Sequence, residues 1–370
     1  MKASGDRAFA IIVLILVILG FALFSSAALG LLARPDAAAA SPWRLLLTQF
    51  SLGIIPGAIM LIIFRLMPQK RLLSLVLPFY VGSILLSLLV FTPLGVELNG
   101  ARRWIDIGFT TFQPAEFLKI GVILMLSAFL ARAGAGIKEL REGLVPFAVI
   151  VGIPCLILLA QPNTSTVLII GATCAALYFL AGAPWRDFLI LGVVAIVGLT
   201  LLVFMRPYLM ARVQTFFDPS NAPHGSGYHI QQSLIAIGSG GLTGRGFGQS
   251  VQKFNYLPEA QSDSVFAVYG EEFGFIGSVL LVFLFVAFAL RGLIIAAGAS
   301  SMFGLLVVTG LTLSITFSAF LNIGALLGIA PLTGLPLPFI SHGGTALMAA
   351  LLSVGIVLNV AANRGKRRSA

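Results

Sequence analysis

Along most of the chain apolar residues follow one another without the two-residue alternation or one-sided helical stripe of an element that faces water. The apolar runs are Ala8–Leu32, Leu45–Met67, Leu72–Phe91, Pro114–Arg132, Leu144–Ala160, Thr166–Gly182, Phe188–Met205, Val265–Leu290, Met302–Leu327 and Thr345–Ala361. Each is about 17 to 25 residues long, enough to cross a hydrocarbon core of about 30 Å. Backbone groups inside lipid must be satisfied within the segment, so these runs are predicted as helices. The pattern thus predicts an all-α polytopic membrane protein of about ten transmembrane helices, with residues 1–370 as one integral membrane domain. The first run ends near Ser26-Ala27-Ala28, which resembles a cleavage site, but its apolar core is too long for a signal peptide and it is read as a retained anchor.

Basic residues orient the bundle. Lys2, Arg7, Lys70, Arg71, Arg132, Lys138, Arg141, Arg186, Arg291, Arg364, Lys366, Arg367 and Arg368 fall on one side, while short loops on the other carry only Arg34, Arg44, Arg102 and Arg103. The positive-inside rule places both termini in the cytoplasm. Segment 206–264, between predicted helices 7 and 8, is then a large extracytoplasmic loop. Within it Tyr228–Ile237 has helical apolar spacing and is expected to lie as a helix at the membrane surface.

Composition agrees: 58% of residues are hydrophobic and 10% charged, too few charges to cover a soluble domain. The net charge of +10 is spread over short juxtamembrane clusters, so nucleic acid is not an expected partner. Cys155 and Cys174 both lie inside apolar runs, which argues against a disulfide framework and a metal site.

Candidate chemistry lies where polar residues interrupt this pattern. Glu116 and Lys119 sit three apart on a helix opened by Pro114, either as a salt bridge or as the wall of a polar cavity. Glu271 and Glu272 lie further inside a run, and Asp263 stands just before it. Asp263 is placed either to cap that helix or to act as acid or base on a substrate held in the bilayer. Arg102 and Arg103 beside Trp104 suit phosphate oxygens and a sugar face or interface. Gly238–Gly248, with Arg245, is a candidate anion cradle. Thr333–Thr345, which includes Ser341, is irregular backbone expected to line a cavity.

In this order the motifs resemble the SEDS family (shape, elongation, division and sporulation), whose members include FtsW and RodA. The resemblance spans nearly the whole chain and rests on Ser25-Ser26-Ala27, Asn99–Trp104 with Gln113-Pro114-Ala115-Glu116, Gly238–Gly248, Lys253–Asp263 with Leu257-Pro258-Glu259-Ala260, and Gly334–Gly344. Leu337-Pro338-Phe339-Ile340-Ser341 and Ala181-Gly182-Ala183-Pro184-Trp185 bring it nearer to the FtsW branch than to RodA. The chain departs from the family's usual residues at Asn163, where an acid is common, at Ser264, where Phe is usual, and at His342, where Tyr is usual.

The resemblance implies a peptidoglycan glycosyltransferase of the bacterial cytoplasmic membrane that polymerises lipid II for cell division. An elongation polymerase of the same chemistry, a lipid II flippase and a non-enzymatic division scaffold are the alternatives. It implies Asp263 as the essential outward aspartate and Glu116 and Lys119 as the family's membrane pair. Arg102, Arg103, Arg245 and Lys253 are the outward cations expected to receive the pyrophosphate, with Trp104 and Ser341 as further substrate contacts. No cofactor is evident, although a divalent cation (Mg or Mn) is a candidate at the pyrophosphate. The implied partners are a class B penicillin-binding protein transpeptidase and other divisome or elongasome membrane proteins.

Overall fold

The computed structural model describes residues 6–30, 42–98, 100–108, 110–218, 225–254 and 256–363. Lys2, Arg34, Asn99 and the tail Arg364, Lys366, Arg367 and Arg368 lie outside the described residues.

Each of the ten apolar runs falls on a helix. In chain order these are α1 Arg7–Leu29; α2 Pro42–Gln49, continuing through a wide turn into α3 Ile55–Leu66; α4 Gln69–Leu88; α5 Pro114–Ala133; α6 Val145–Ala160; α7 Thr164–Leu180; and α8 Trp185–Met205. After the short helices α9 Pro207–Phe217 and α10 Ser226–Ser239 come α11 Val265–Ala297, α12 Met302–Leu326 and α13 Gly344–Ala362. Among the described residues nine helical stretches are long and apolar enough to cross a membrane, α2 and α3 counting as one. The remaining run, α7, is an apolar helix of 17 residues, about 25 Å long at 1.5 Å per residue.

The helices sort radially. α12 and α13 are buried along most of their length, packed against α5, α7, α11 and α3. α8 is exposed apart from Asp187, whose carboxylate accepts a hydrogen bond from Tyr178 Oη at 2.7 Å. Its outer surface of Leu189, Val193, Ile196 and Phe204 is what a lipid-facing helix presents.

One expectation is corrected. The segment between α4 and α5, read as a loop in an all-α chain, forms a three-stranded antiparallel sheet: β1 Gly95–Leu98, β2 Ala101–Asp106 and β3 Thr111–Phe112. Val96 pairs with Trp104 and Ile105 with Phe112. Outside the lipid a backbone can find partners between strands, and these strands are too short to compete with the spanning runs for attention in a hydropathy reading.

Candidate functional site

Asp263 stands beside a cavity of about 530 Å³, enclosed by β2, α9, the turn before α11 and the segment between α12 and α13. Helix α11 begins at Val265, and the Asp263 carboxylate accepts no hydrogen bond from its first N–H groups; the residue next to the helix, Ser264, makes no side-chain cap bond either. The capping role is therefore excluded. Asp263 Oδ1 is buried and has no hydrogen-bond partner. Its Oδ2 lies 3.6 Å from where a Cβ on Gly334 would stand. Gly334 has φ +62°, a conformation that disfavours any larger residue beside the carboxylate.

Burial, reinforced by the neighbouring Glu259 carboxylate, pushes the Asp263 carboxyl up to about 7, and a hydrogen bond from its own backbone and, after it, Arg212 partly oppose the shift. A group so perturbed takes up and releases protons near neutral pH.

Arg212, on α9, is the cation facing this carboxylate. It is half-buried, lies near the Tyr208 ring at 5.9 Å and, among the described residues, forms no ion pair or hydrogen bond. Burial lowers its pKa from the ordinary arginine value, the cost of holding a cation there without a fixed counter-ion. Sequence reasoning passed over Arg212 because it is one basic residue in a long loop, with no motif around it.

Arg103 and Trp104 also line the cavity, but Arg102 does not. Arg102 is exposed and donates to Gly95 O and Thr92 O, each at 3.0 Å, bracing its own hairpin. Arg103 donates to Gln161 O at 3.3 Å and to Pro162 O, tying the sheet to the α6–α7 turn while its remaining donors stay available. Asn163, in the same wall, accepts a hydrogen bond from Thr166 Oγ1 at 2.8 Å.

The remaining expected site residues have structural partners. Lys253 is buried, its ammonium 2.9 Å from Glu272 Oε1 and donating to Ser26 Oγ and Gly248 O. Arg245 pairs with Glu271 at 3.4 Å. Neither lines the cavity. Much of the glycine-rich segment's backbone is spent inside the protein: the N–H groups of Gly240, Gly241, Gly244, Arg245 and Gly246 all donate to carbonyls. Helix α11 breaks at Gly274 (φ +65°), and the segment fills the break. Arg245 N and Gly246 N donate to Glu271 O and Glu272 O, and Phe275 N and Ile276 N donate to Gly241 O and Leu242 O. Glu271 accepts further bonds from Ser250 Oγ and the Val251 and Gln252 amides. The two intramembrane glutamates are thus anchors for this insertion: both oxygens of Glu271 are met, while Glu272 is met at Oε1 by Lys253 and Ser26 and its Oε2 has no hydrogen-bond partner among the described residues. Lys253→Ala leaves Glu272 as an unpaired buried carboxylate and is expected to cost roughly 3–5 kcal/mol, seen as a lowered Tm in detergent. An unchanged Tm would show that Glu272 has another partner.

Glu116 and Lys119 pair with each other at 2.9 Å. They line a separate cavity of about 40 Å³ that adjoins the first through Leu335, Pro336 and Ala346. Ser341 is buried and accepts from Leu337 N at 2.8 Å, holding the α12–α13 segment in shape, and it is not among the residues that line either cavity. That segment is pinned at several points: Asn322 Nδ2 donates to Leu335 O at 2.6 Å and to Asp263 O at 2.7 Å, and His342 N donates to Gln261 O at 2.8 Å. The irregular backbone expected at this place does line the cavity.

A family model described as cell cycle protein, grouping FtsW, RodA and SpoVE, matches residues 6–366. The chain belongs to the FtsW/RodA/SpoVE family. Within that family it is 42% identical over 276 residues to stage V sporulation protein E of Bacillus subtilis (strain 168), covering 75% of each chain. It is 40% identical over 285 residues to the "Probable peptidoglycan glycosyltransferase FtsW" of Thiomicrospira cyclica, covering 76% of this chain and 73% of the relative. A solved chain from a peptidoglycan synthase complex that coordinates polymerization and crosslinking superposes with a TM-score of 0.80, at 28% identity over 98% of this chain and 99% of that one. The rod shape determining protein RodA of Thermus thermophilus superposes with a TM-score of 0.71, at 29% identity over 98% of each chain. This FtsW/RodA/SpoVE protein therefore shares its whole helical bundle, not a local motif, with those structures.

Proposed function

We propose that this FtsW/RodA/SpoVE protein is a peptidoglycan glycosyltransferase that polymerises lipid II into glycan strands in cell division, with its cavity on the outer side of the bacterial cytoplasmic membrane. The observation that carries the reading is the Asp263 carboxylate, whose buried Oδ1 has no hydrogen-bond partner among the described residues, sharing a cavity among membrane helices with Arg212, which forms no ion pair among those residues. A base and a cation are what inverting transfer from a diphosphate-linked sugar needs.

Asp263 accepts the proton of the acceptor sugar's 4-hydroxyl as that oxygen bonds to the donor's anomeric carbon. The bond from that carbon to the diphosphate oxygen breaks, and undecaprenyl pyrophosphate leaves with the electron pair. One displacement converts the α-linked donor into a β-glycosidic product. Arg212 receives the charge developing on the diphosphate, and the free donors of Arg103 add to it. Trp104 offers a flat face to a sugar. Among the described residues no group of three or more His, Cys, Asp or Glu is arranged to hold a metal ion. A Mg or Mn ion would arrive on the diphosphate's own oxygens, and no step here passes through one.

Transport of lipid II gains no support from the intramembrane charges, since Glu271 and Glu272 are engaged by the inserted segment and Glu116 by Lys119. The test is purified full chain with lipid II in detergent, where no membrane sides exist: glycan product supports the enzyme, and its absence with retained transport in vesicles overturns it. A class B penicillin-binding protein transpeptidase is the expected partner for crosslinking. Orientation is checked by a reporter after Arg368, expected to be active only in the cytoplasm, and one near Pro223, expected to be active only outside.

A further inference from the structure

We infer that His229 is a positioning residue, which through Ser264 holds the turn before α11 in the shape that presents Asp263 to the cavity. The inference rests on reading Asp263 as the general base. His229 Nε2, from α10, lies 2.5 Å from Ser264 Oγ, and Ser264 Oγ lies 2.7 Å from Pro258 O. A hydroxyl carries one proton, so donation to Pro258 O leaves Ser264 Oγ to accept from Nε2–H. Burial, and after it Arg212, push the His229 imidazole down to about 4, so it stays neutral throughout the range in which Asp263 titrates.

The turn needs such a clamp. Glu259 sits at φ +49°, a left-handed conformation that is strained in a non-glycine residue. Its carbonyl accepts from both Ser262 N at 2.9 Å and Ser264 N at 3.3 Å. On the opposite side Asn322 Nδ2 grips Asp263 O at 2.7 Å. The backbone is thus held from α10 and from α12, while the carboxylate's Oδ1 has no hydrogen-bond partner among the described residues. The groups facing Asp263 are Glu259 on its own turn, Arg212 from α9, Arg103 from β2 and His342 from the α12–α13 segment. Release of the turn lets Glu259 and Asp263 move apart.

The experiment compares pH profiles of lipid II polymerisation by the full chain carrying His229→Ala, His229→Gln, Ser264→Ala or Asp263→Asn, with thermal unfolding to measure the folded fraction. His229→Ala and Ser264→Ala are expected to lower the plateau rate about tenfold or more per folded molecule. They are also expected to move the acid limb down by about half a pH unit, as repulsion from Glu259 is relieved. His229→Gln keeps a donor and is expected to restore both. An unmoved acid limb, with activity lost only in proportion to the folded fraction, overturns the clamp while the base stands. Normal polymerisation by Asp263→Asn overturns the base and the clamp with it.

Discussion

Asp263→Asn is expected to lower lipid II polymerisation by at least about a hundredfold, the usual scale for losing general acid–base help, while Tm stays near the wild-type value. Asn matches the size of Asp but accepts no proton at neutral pH. Since Asp263 caps no helix and its Oδ1 has no hydrogen-bond partner among the described residues, the substitution removes no capping bond. With its carboxyl pushed up to about 7, the base is half protonated there, so wild-type activity falls as pH drops through about 7 and levels above it. Glu259→Gln removes the carboxylate that raises this value and shifts the acid limb to lower pH. Polymerisation by Asp263→Asn at near wild-type rate would end the assignment and move the search for a base to Glu259.

The second large effect is at Arg212. Arg212→Ala is expected to reduce the rate about 10²–10³-fold, the range for removing one preorganised donor from a developing charge, chiefly in kcat. Arg212 also lowers the Asp263 value, so its loss should shift the acid limb to higher pH, opposite to Glu259→Gln. Arg212→Lys keeps the charge but loses the planar fork and is expected to recover only part of the rate. A rate within about threefold of wild type for Arg212→Ala would remove it from the diphosphate site. Lys253→Ala provides the contrast, since its expected deficit is in folding.

The spanning helices were legible because lipid imposes one solution on long apolar segments, and so was Asp263, an acid at the edge of such a run with a motif before it. The cations were not. Arg102, Arg245 and Lys253 are outward or basic in the sequence, yet each is held by a carbonyl or a buried glutamate. Which cation keeps free donors depends on partners contributed by segments far apart in the chain, as when Lys253 meets Ser26.

The sequence by itself thus determined the class of protein, the places of its helices, the family and the aspartate, because these follow from hydropathy and local motifs. Only the tertiary structure decided that the glycine-rich segment plugs the break in α11, that Asp263 caps nothing, and that Arg212 faces it. The physical reason is common to all three: a polar group's role is set by whether another element satisfies it, and chain order does not record which elements meet.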